Sequence, residues 1–381
     1  MHKGFIDYRN TKIPFVIDDF KLELFSQDDI LDTFMQEYRT SKNFLLTGEC
    51  ILFGKSARKI ILLVEDFSAY LFNLSCYIIH RFERAEAYDE ICFRSQVLDS
   101  IFQYKYHYLD LCRAGSNLNS SENIVYAVPF DINTDKHTLT YKIGSTHILG
   151  MLEKFDNVGK TSITLSQSDI YECRQLVLLM ERLSSFLTSC PRITFNHISL
   201  FNKGFPEATF YCKQVCDDAF LDFDIIFYQF SVDTYIPRIL QHLAAENNTK
   251  ITKSIPLGHL GEYNSPFTPQ RFIEQVIAFE YLFEKLENKK AKDKKVHLKD
   301  ELKFMIDEFP QIVDGTQHTS DSLADSIKEL RRTITHGYEY FYTFAHDDEK
   351  KILVIKLAKL IRCMSLRLMG FSNDEIKNYK I

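Results

Sequence analysis

The sequence predicts an α+β chain: a β-rich module over residues 1–257, followed by an all-α four-helix bundle over residues 265–381. Three observations carry this. Short apolar runs of strand length, separated by turn residues, recur through the first part. Helical apolar stripes with start and stop signals fill the last part. Between them, Pro256–Pro266 gathers Gly258, Gly261 and Asn264-Ser265-Pro266, the breaker residues of a linker.

In the N-terminal part, Phe15-Val16-Ile17, Leu22–Phe25 and Lys59–Val64 read as strands. Gln103–Cys112 is tyrosine-rich and reads equally as strand or helix. Ile124–Phe130, Thr138–Ile143, His147–Leu152 and Ser162–Leu165 continue the strand series. A helix follows from Ser168, the expected N-cap, to about Leu187, closed by Pro191. Strands return at Ile193–Phe201, Ala208–Lys213 and Phe223–Phe230, then a short helix near Ile239–Ala245. Many strands with one or two helices suggest an α+β or sandwich-like module, possible as two subdomains.

The C-terminal helices are better marked. Thr268-Pro269 is an N-cap followed by proline at the first helical position. Phe267 and Phe272 are spaced to clasp that start as a hydrophobic staple. The helix runs through Phe272, Val276, Phe279, Leu282, Phe283 and Leu286. A lysine-rich connector, Lys289 to Lys295, reads as a solvated loop or as a contact to an RNA backbone. A second helix covers Leu298–Phe309 and stops at Pro310. A third starts near Thr319 or Ser320, and a fourth runs from about Asp347 to Met369, before Gly370.

Composition limits the function classes. Apolar residues make up 45% and charged residues 26%, as in ordinary globular chains. No apolar run approaches the ~18 residues of a membrane span, and the start of the chain lacks a signal-peptide core, so a cytoplasmic location without membrane contact is expected. Nine cysteines cannot all pair, and Cys212 and Cys216 have no second pair at zinc spacing, so buried thiols are expected and no metal site. Net charge is −6, which excludes a broadly basic nucleic-acid binder. Residues 265–381 hold 20 Lys+Arg against 19 Asp+Glu, whereas the remainder carries −7. The C-terminal part is thus the less repulsive for a polyanion.

Gly54-Lys55-Ser56 and Gly159-Lys160-Thr161 invite a phosphate-loop reading. Both lack the glycine that must precede the Gly-Lys pair with four residues between, so surface turns are expected instead. Asp217 and Asp218 read as solvated turn carboxylates.

The segment with chemical content is Glu329-Leu330-Arg331-Arg332-Thr333-Ile334-Thr335-His336-Gly337-Tyr338. Leu323, Ile327, Leu330 and Ile334 form the apolar stripe of a helix, and Gly337 stands where a left-handed C-terminal residue belongs. Five residues separate Arg331 from His336, about 140° around a straight helix. A histidine suits proton transfer near neutral pH, and an arginine fork matches phosphate oxygens.

Leu330, Arg331, Ile334, His336 and Gly337 resemble the Arg-x4–6-His signature of HEPN domains. Arg332 stands where that family usually has a small polar residue. Ala278-Phe279-Glu280 is similar to the Ala-Leu-Glu of the first helix in ApeA-like HEPN domains, a subset linked to antiphage defence. The resemblance implies a HEPN four-helix bundle and a metal-independent endoribonuclease needing no cofactor, with RNA as substrate. It implies a homodimer whose two Arg-His sets share one cleft. Arg331 and His336 would be catalytic, and Arg332, Glu280 and Tyr338 supporting. The N-terminal module would sense a trigger protein or restrain the nuclease. The resemblance equally admits a non-catalytic RNA- or protein-binding module, or a toxin held by an antitoxin. Arg331-x4-His336-x-Tyr338 also resembles HEPN toxins whose tyrosine is modified.

Overall fold

The computed structural model describes residues 1–26, 28–41, 45–51, 57–68, 71–82, 87–103, 123–144, 158–188, 193, 195, 197–213, 232–246, 267–287, 297–315, 317–337 and 348–377. The expected strands His147–Leu152 and Phe223–Phe230, the stop at Pro191, the linker Pro256–Pro266, the lysine-rich connector and Tyr338 lie outside them, as does most of Gln103–Cys112. The chain divides into two compact units, one of Met1–Leu178 and Thr194–Cys216, the other of Leu179–Ile193 and Asp217–Ile381.

The first unit opens with β1 (His2–Tyr8), β2 (Thr11–Asp18), β3 (Lys21–Leu24), α1 (Asp28–Ser41), β4 (Leu45–Ile51), β5 (Ala57–Ser68) and β6 (Leu71–His80). These strands pair antiparallel in the order β3-β2-β1-β4-β5-β6, and β3 pairs back onto β6. The result is a closed six-stranded barrel; of the two expected arrangements, α+β or sandwich-like, the sandwich is not formed here. Closure removes the exposed strand edges that a flat sheet would leave. Alternation supplies the interior: Ile13, Phe15 and Ile17 of β2, Leu22 and Leu24 of β3, and Ile60, Leu62 and Val64 of β5 are buried. Helix α1 adds Leu31, Phe34, Met35 and Tyr38, spaced as one helical face.

Two glycines let the barrel close. A Cβ at Gly48 would lie 2.0 Å from the Phe5 carbonyl oxygen, and one at Gly4 would lie 1.9 Å from that of Glu49. Gly4 pairs with Cys50, and Gly48 with Ile6, so both sit on the β1–β4 seam.

The remaining strands are β7 (Glu90–Arg94), β8 (Asn123–Ile132), β9 (Asp135–Gly144), β10 (Val158–Thr164), β11 (His197–Asn202) and β12 (Phe205–Cys212). They continue the sheet as β6-β12-β11-β7-β10-β9-β8. Strand β6 is therefore shared. Its residues 71–73 pair with β3, and Cys76–His80 pair with β12. Helix α2 (Gln96–Gln103) packs on β10. Gly159-Lys160-Thr161 lies inside β10, which corrects the expected surface turn. Cys50, Cys76, Cys92 and Cys173 are buried thiols.

Helix α3 (Ile170–Thr188) starts one residue later than expected. The N-cap is Asp169, whose Oδ1 accepts the Glu172 N–H at 2.7 Å. Ser168 has φ 57°, outside helical geometry. The Glu172 carboxylate accepts the N–H groups of Ser166, Gln167 and Ser168 at 2.6, 2.9 and 2.9 Å, so the loop before the helix is tied to its first turn.

The second unit is helical: α4 (Val232–Glu246), α5 (Pro269–Glu287), α6 (Leu298–Glu308), α7 (Ser320–His336), α8 (Asp348–Leu368) and α9 (Asn373–Lys377). Helix α4 begins earlier than expected and contains Pro237, which removes one intrahelical bond. The expected start of α5 holds. Thr268 caps it with its Oγ1, which accepts the Arg271 N–H at 3.4 Å, and the Phe267 and Phe272 rings lie 6.2 Å apart. Helix α5 packs on α8 and α6 on α7, and α7 also touches α5 and α8. The core holds Phe272, Val276, Phe279, Leu302, Met305, Ile327, Leu357 and Ile361. Arg238 of α4 meets Glu375 of α9 at 2.8 Å and lies 4.0 Å from the Phe371 ring. None of the described helices is long and apolar enough to cross a membrane.

Candidate functional site

Helix α7 carries the Arg-His segment, and its ends are well determined by local chemistry. Thr319 is the N-cap. Its Oγ1 accepts the Ser322 N–H at 3.2 Å, while Ser322 Oγ accepts the Thr319 N–H at 2.8 Å. This reciprocal pair satisfies donors that a helix start otherwise leaves open. Leu323, Ala324, Ile327 and Leu330 form the buried stripe. Ile334 continues it in a half-buried position. Gly337 ends the helix at φ 65°, and its N–H returns to the Thr333 carbonyl.

His336 is the last helical residue and is exposed. The helix does not break before it, so about 140° separates it from Arg331. One α7 therefore does not aim both groups the same way. Thr335 Oγ1 donates to the Arg331 carbonyl at 2.8 Å, which tightens this last turn.

Arg331 has company that the sequence only partly announces. Its guanidinium meets Glu280 Oε1 of α5 at 3.2 Å, with both side chains partly exposed. Glu301 of α6 completes the group. Burial pushes the Glu301 carboxyl up from its ordinary value, the Glu280 charge pushes it further, and the Arg331 charge opposes both. Helices α5 and α7 thus bring Glu280 and Arg331 into contact, and Glu301 of α6 lies near enough to feel both charges. Glu280 was marked by its place in the Ala-Phe-Glu triplet. Glu301 was not, and the available signal was its position beside Leu302, on the flank of α6's buried stripe.

Arg332 points elsewhere. It is exposed and pairs with Glu329 at 3.5 Å on its own helix. Tyr338 lies outside the described residues. The first half of α7 is fastened to α6 by Lys299, 3.2 Å from Asp321 and 3.3 Å from Asp325, and by Lys303, 3.4 Å from Asp321. Such exposed pairs contribute little individually. Together they hold α7 in register with α6. Among the described residues no three His, Cys, Asp or Glu side chains gather to hold a metal ion.

The arrangement therefore offers an exposed imidazole at a helix end and an arginine with spare donors. A guanidinium has five N–H donors, so the contact to Glu280 leaves several for an anion. Comparison with family models matches residues 242–375 to the Apea-like HEPN family, from within α4 to within α9. Comparison with curated proteins returned no match. Comparison with solved structures returned none either.

Proposed function

From the premise that residues 242–375 form an Apea-like HEPN domain, we propose that the chain is a metal-independent endoribonuclease of antiphage defence. The observation that carries this reading is Arg331 and His336 together on an α7 that ends at Gly337, within the matched region. RNA brings its own nucleophile, the 2′-OH. His336 takes that proton, and later the histidine returns a proton to the leaving oxygen. Arg331 binds the phosphate and stabilises the charge that develops on it. Glu280 keeps the guanidinium oriented between turnovers. Arg332 adds a second phosphate contact once its Glu329 pairing is released.

Helices α5 to α8 form the HEPN four-helix bundle in this reading, and two chains pair through it. The angle between Arg331 and His336 supports the dimer, because a two-fold axis beside the end of α7 combines the arginine of one chain with the histidine of the other. The barrel and open sheet of the first unit sense a trigger protein or restrain cleavage.

The carboxylates around Arg331 favour a second reading, a non-catalytic module that binds RNA or a protein. One experiment separates the two. Purified protein is incubated with mixed RNAs, with and without EDTA. The expected outcome is cleavage that persists in EDTA and leaves 2′,3′-cyclic phosphate ends, while DNA and 2′-O-methyl RNA resist. Intact RNA under all conditions supports the binding module, and cleavage that stops on chelation points to a metal-dependent nuclease.

A further inference from the structure

Helix α5 is apolar on two sides. Its inward stripe, with Phe272, Val276, Phe279 and Phe283, fills the bundle core. The opposite side of a helix that meets only solvent there should be polar. Instead Ile273, Ile277 and Tyr281 follow one another at steps of four, which sets them in one line along the helix. Ile277 is 58% exposed, the most of any large apolar side chain among the described residues of the second unit. Ile273 and Tyr281 are half-buried. Apolar residues scattered singly over a surface are ordinary, but these three form a line that ends in an aromatic ring.

The line runs beside the Arg331 site. Glu280, which meets Arg331 at 3.2 Å, stands three residues from Ile277, a neighbouring position on the helix surface. The charges along the line are mainly negative. Glu274 lies three residues before Ile277, and exposed Glu284 lies three residues after Tyr281. Lys285 is the cation at the far end, its Nζ 5.5 Å from the Tyr281 ring centroid. Phosphate is therefore repelled along most of the line and drawn to Arg331 at its edge. A flat, uncharged group meets no such penalty there. A nucleotide has both parts, a charged phosphate and an uncharged base.

We propose that Ile277 and Tyr281 form the platform for the base of the nucleotide whose phosphate Arg331 binds, so that the site takes unpaired RNA. This rests on the RNA reading of the Arg331 site. The Tyr281 ring has no aromatic partner among the described residues, so a base displaces no other ring from it. Unstacked bases settle on such rings, whereas the faces of duplex bases are already covered. A second copy of the chain is the competing occupant, and charge opposes it. Two α5 helices crossing antiparallel at Ile277 would set Glu274 of one against Glu280 of the other.

The test is fluorescence anisotropy of the full chain with two labelled single strands of 2′-O-methyl RNA, which survive the proposed nuclease. One strand carries bases and the other is abasic. The parent should bind the base-bearing strand at least about fivefold more tightly, the lower end of what one stacked base contributes. The Ile277→Ser/Tyr281→Leu variant should bind both strands alike, at the parent's affinity for the abasic one. Tyr281→Phe should keep the preference, and Arg331→Ala should weaken both strands. Ile277→Ser alone should lose part of the preference and melt like the parent, because its side chain is mostly exposed. Base-dependent binding that these variants abolish, with unmodified RNA left uncut, would sustain the platform and remove the nuclease reading. Cleavage by the parent together with an unchanged preference in the variants would do the reverse. A parent that binds neither strand, or both equally, overturns the proposal. So does an Ile277→Ser chain that changes from dimer to monomer by light scattering while its preference for bases persists, which would make the line an interface between copies.

Discussion

RNA cleavage by the His336→Ala chain is expected to fall at least about a hundredfold, the lower end of what one general acid–base group contributes. Folding should barely change. His336 is exposed, lies past the buried stripe of α7, and precedes a glycine that ends the helix by its own backbone geometry. Surface substitutions of this kind usually stay within about 0.5 kcal/mol, a shift of about 1–2 °C in a domain of this size. Cleavage at the parental rate would remove the histidine from the mechanism, and a lost thermal transition would make it a structural residue. Mixing extends the result. Arg331→Ala and His336→Ala chains, each inactive alone, should regain part of the activity together if two subunits share the cleft. Absence of rescue, or full activity of a monomer by light scattering, rules that arrangement out.

The Gly48→Val substitution should be the most damaging to folding. The new Cβ would stand 2.0 Å from the Phe5 carbonyl oxygen and 2.9 Å from Ile6 Cα, all backbone atoms that no rotamer change can move. Strands β1 and β4 must separate at their seam, and with them the closed hydrogen-bond circuit of the barrel. A loss of at least about 3 kcal/mol is expected, in the range reserved for severe steric faults. Chemical denaturation would measure it. A midpoint like the parent's would mean that the seam has room to give. Gly4→Val, on the same seam, should behave alike.

What the sequence revealed depended on how local each feature is. Helix α7 was legible almost to the residue, because its cap, stripe and terminal glycine lie within one segment. Phe15-Val16-Ile17, legible as a short strand, falls within β2, whose start four residues earlier was not marked. Strand β6 was not recognised: Leu71–His80 is buried over most of its length, as a strand with neighbours on every side must be, so it lacks the alternation that marks a half-buried strand. Helix α1 was missed because its stripe of Leu31, Phe34, Met35 and Tyr38 is short and set among charges. Barrel closure depends on Leu22 meeting Phe72, a pairing across fifty positions that no local pattern records. The exchange of Ser168 for Asp169 as N-cap is a choice between adjacent capping residues that only backbone angles resolve. In the candidate site, Arg331, His336 and Glu280 were legible from local sequence and resemblance. Glu301 comes under the Arg331 charge only through the packing of α6 on α7, so its own surroundings in sequence do not announce it.

Strand β6 also decides where this chain can be cut. A fragment ending near residue 82 keeps all six barrel strands, yet it strips β12 from Cys76–His80 and leaves a bare apolar edge. Such an edge recruits other chains, so that fragment should aggregate although its barrel is complete. A fragment beginning after residue 82 loses the strand against which β12 forms, so the open sheet acquires the matching defect. The shortest N-terminal piece that keeps β12 on β6 runs through Cys212, and amide exchange along Cys76–His80 should be among the slowest in it.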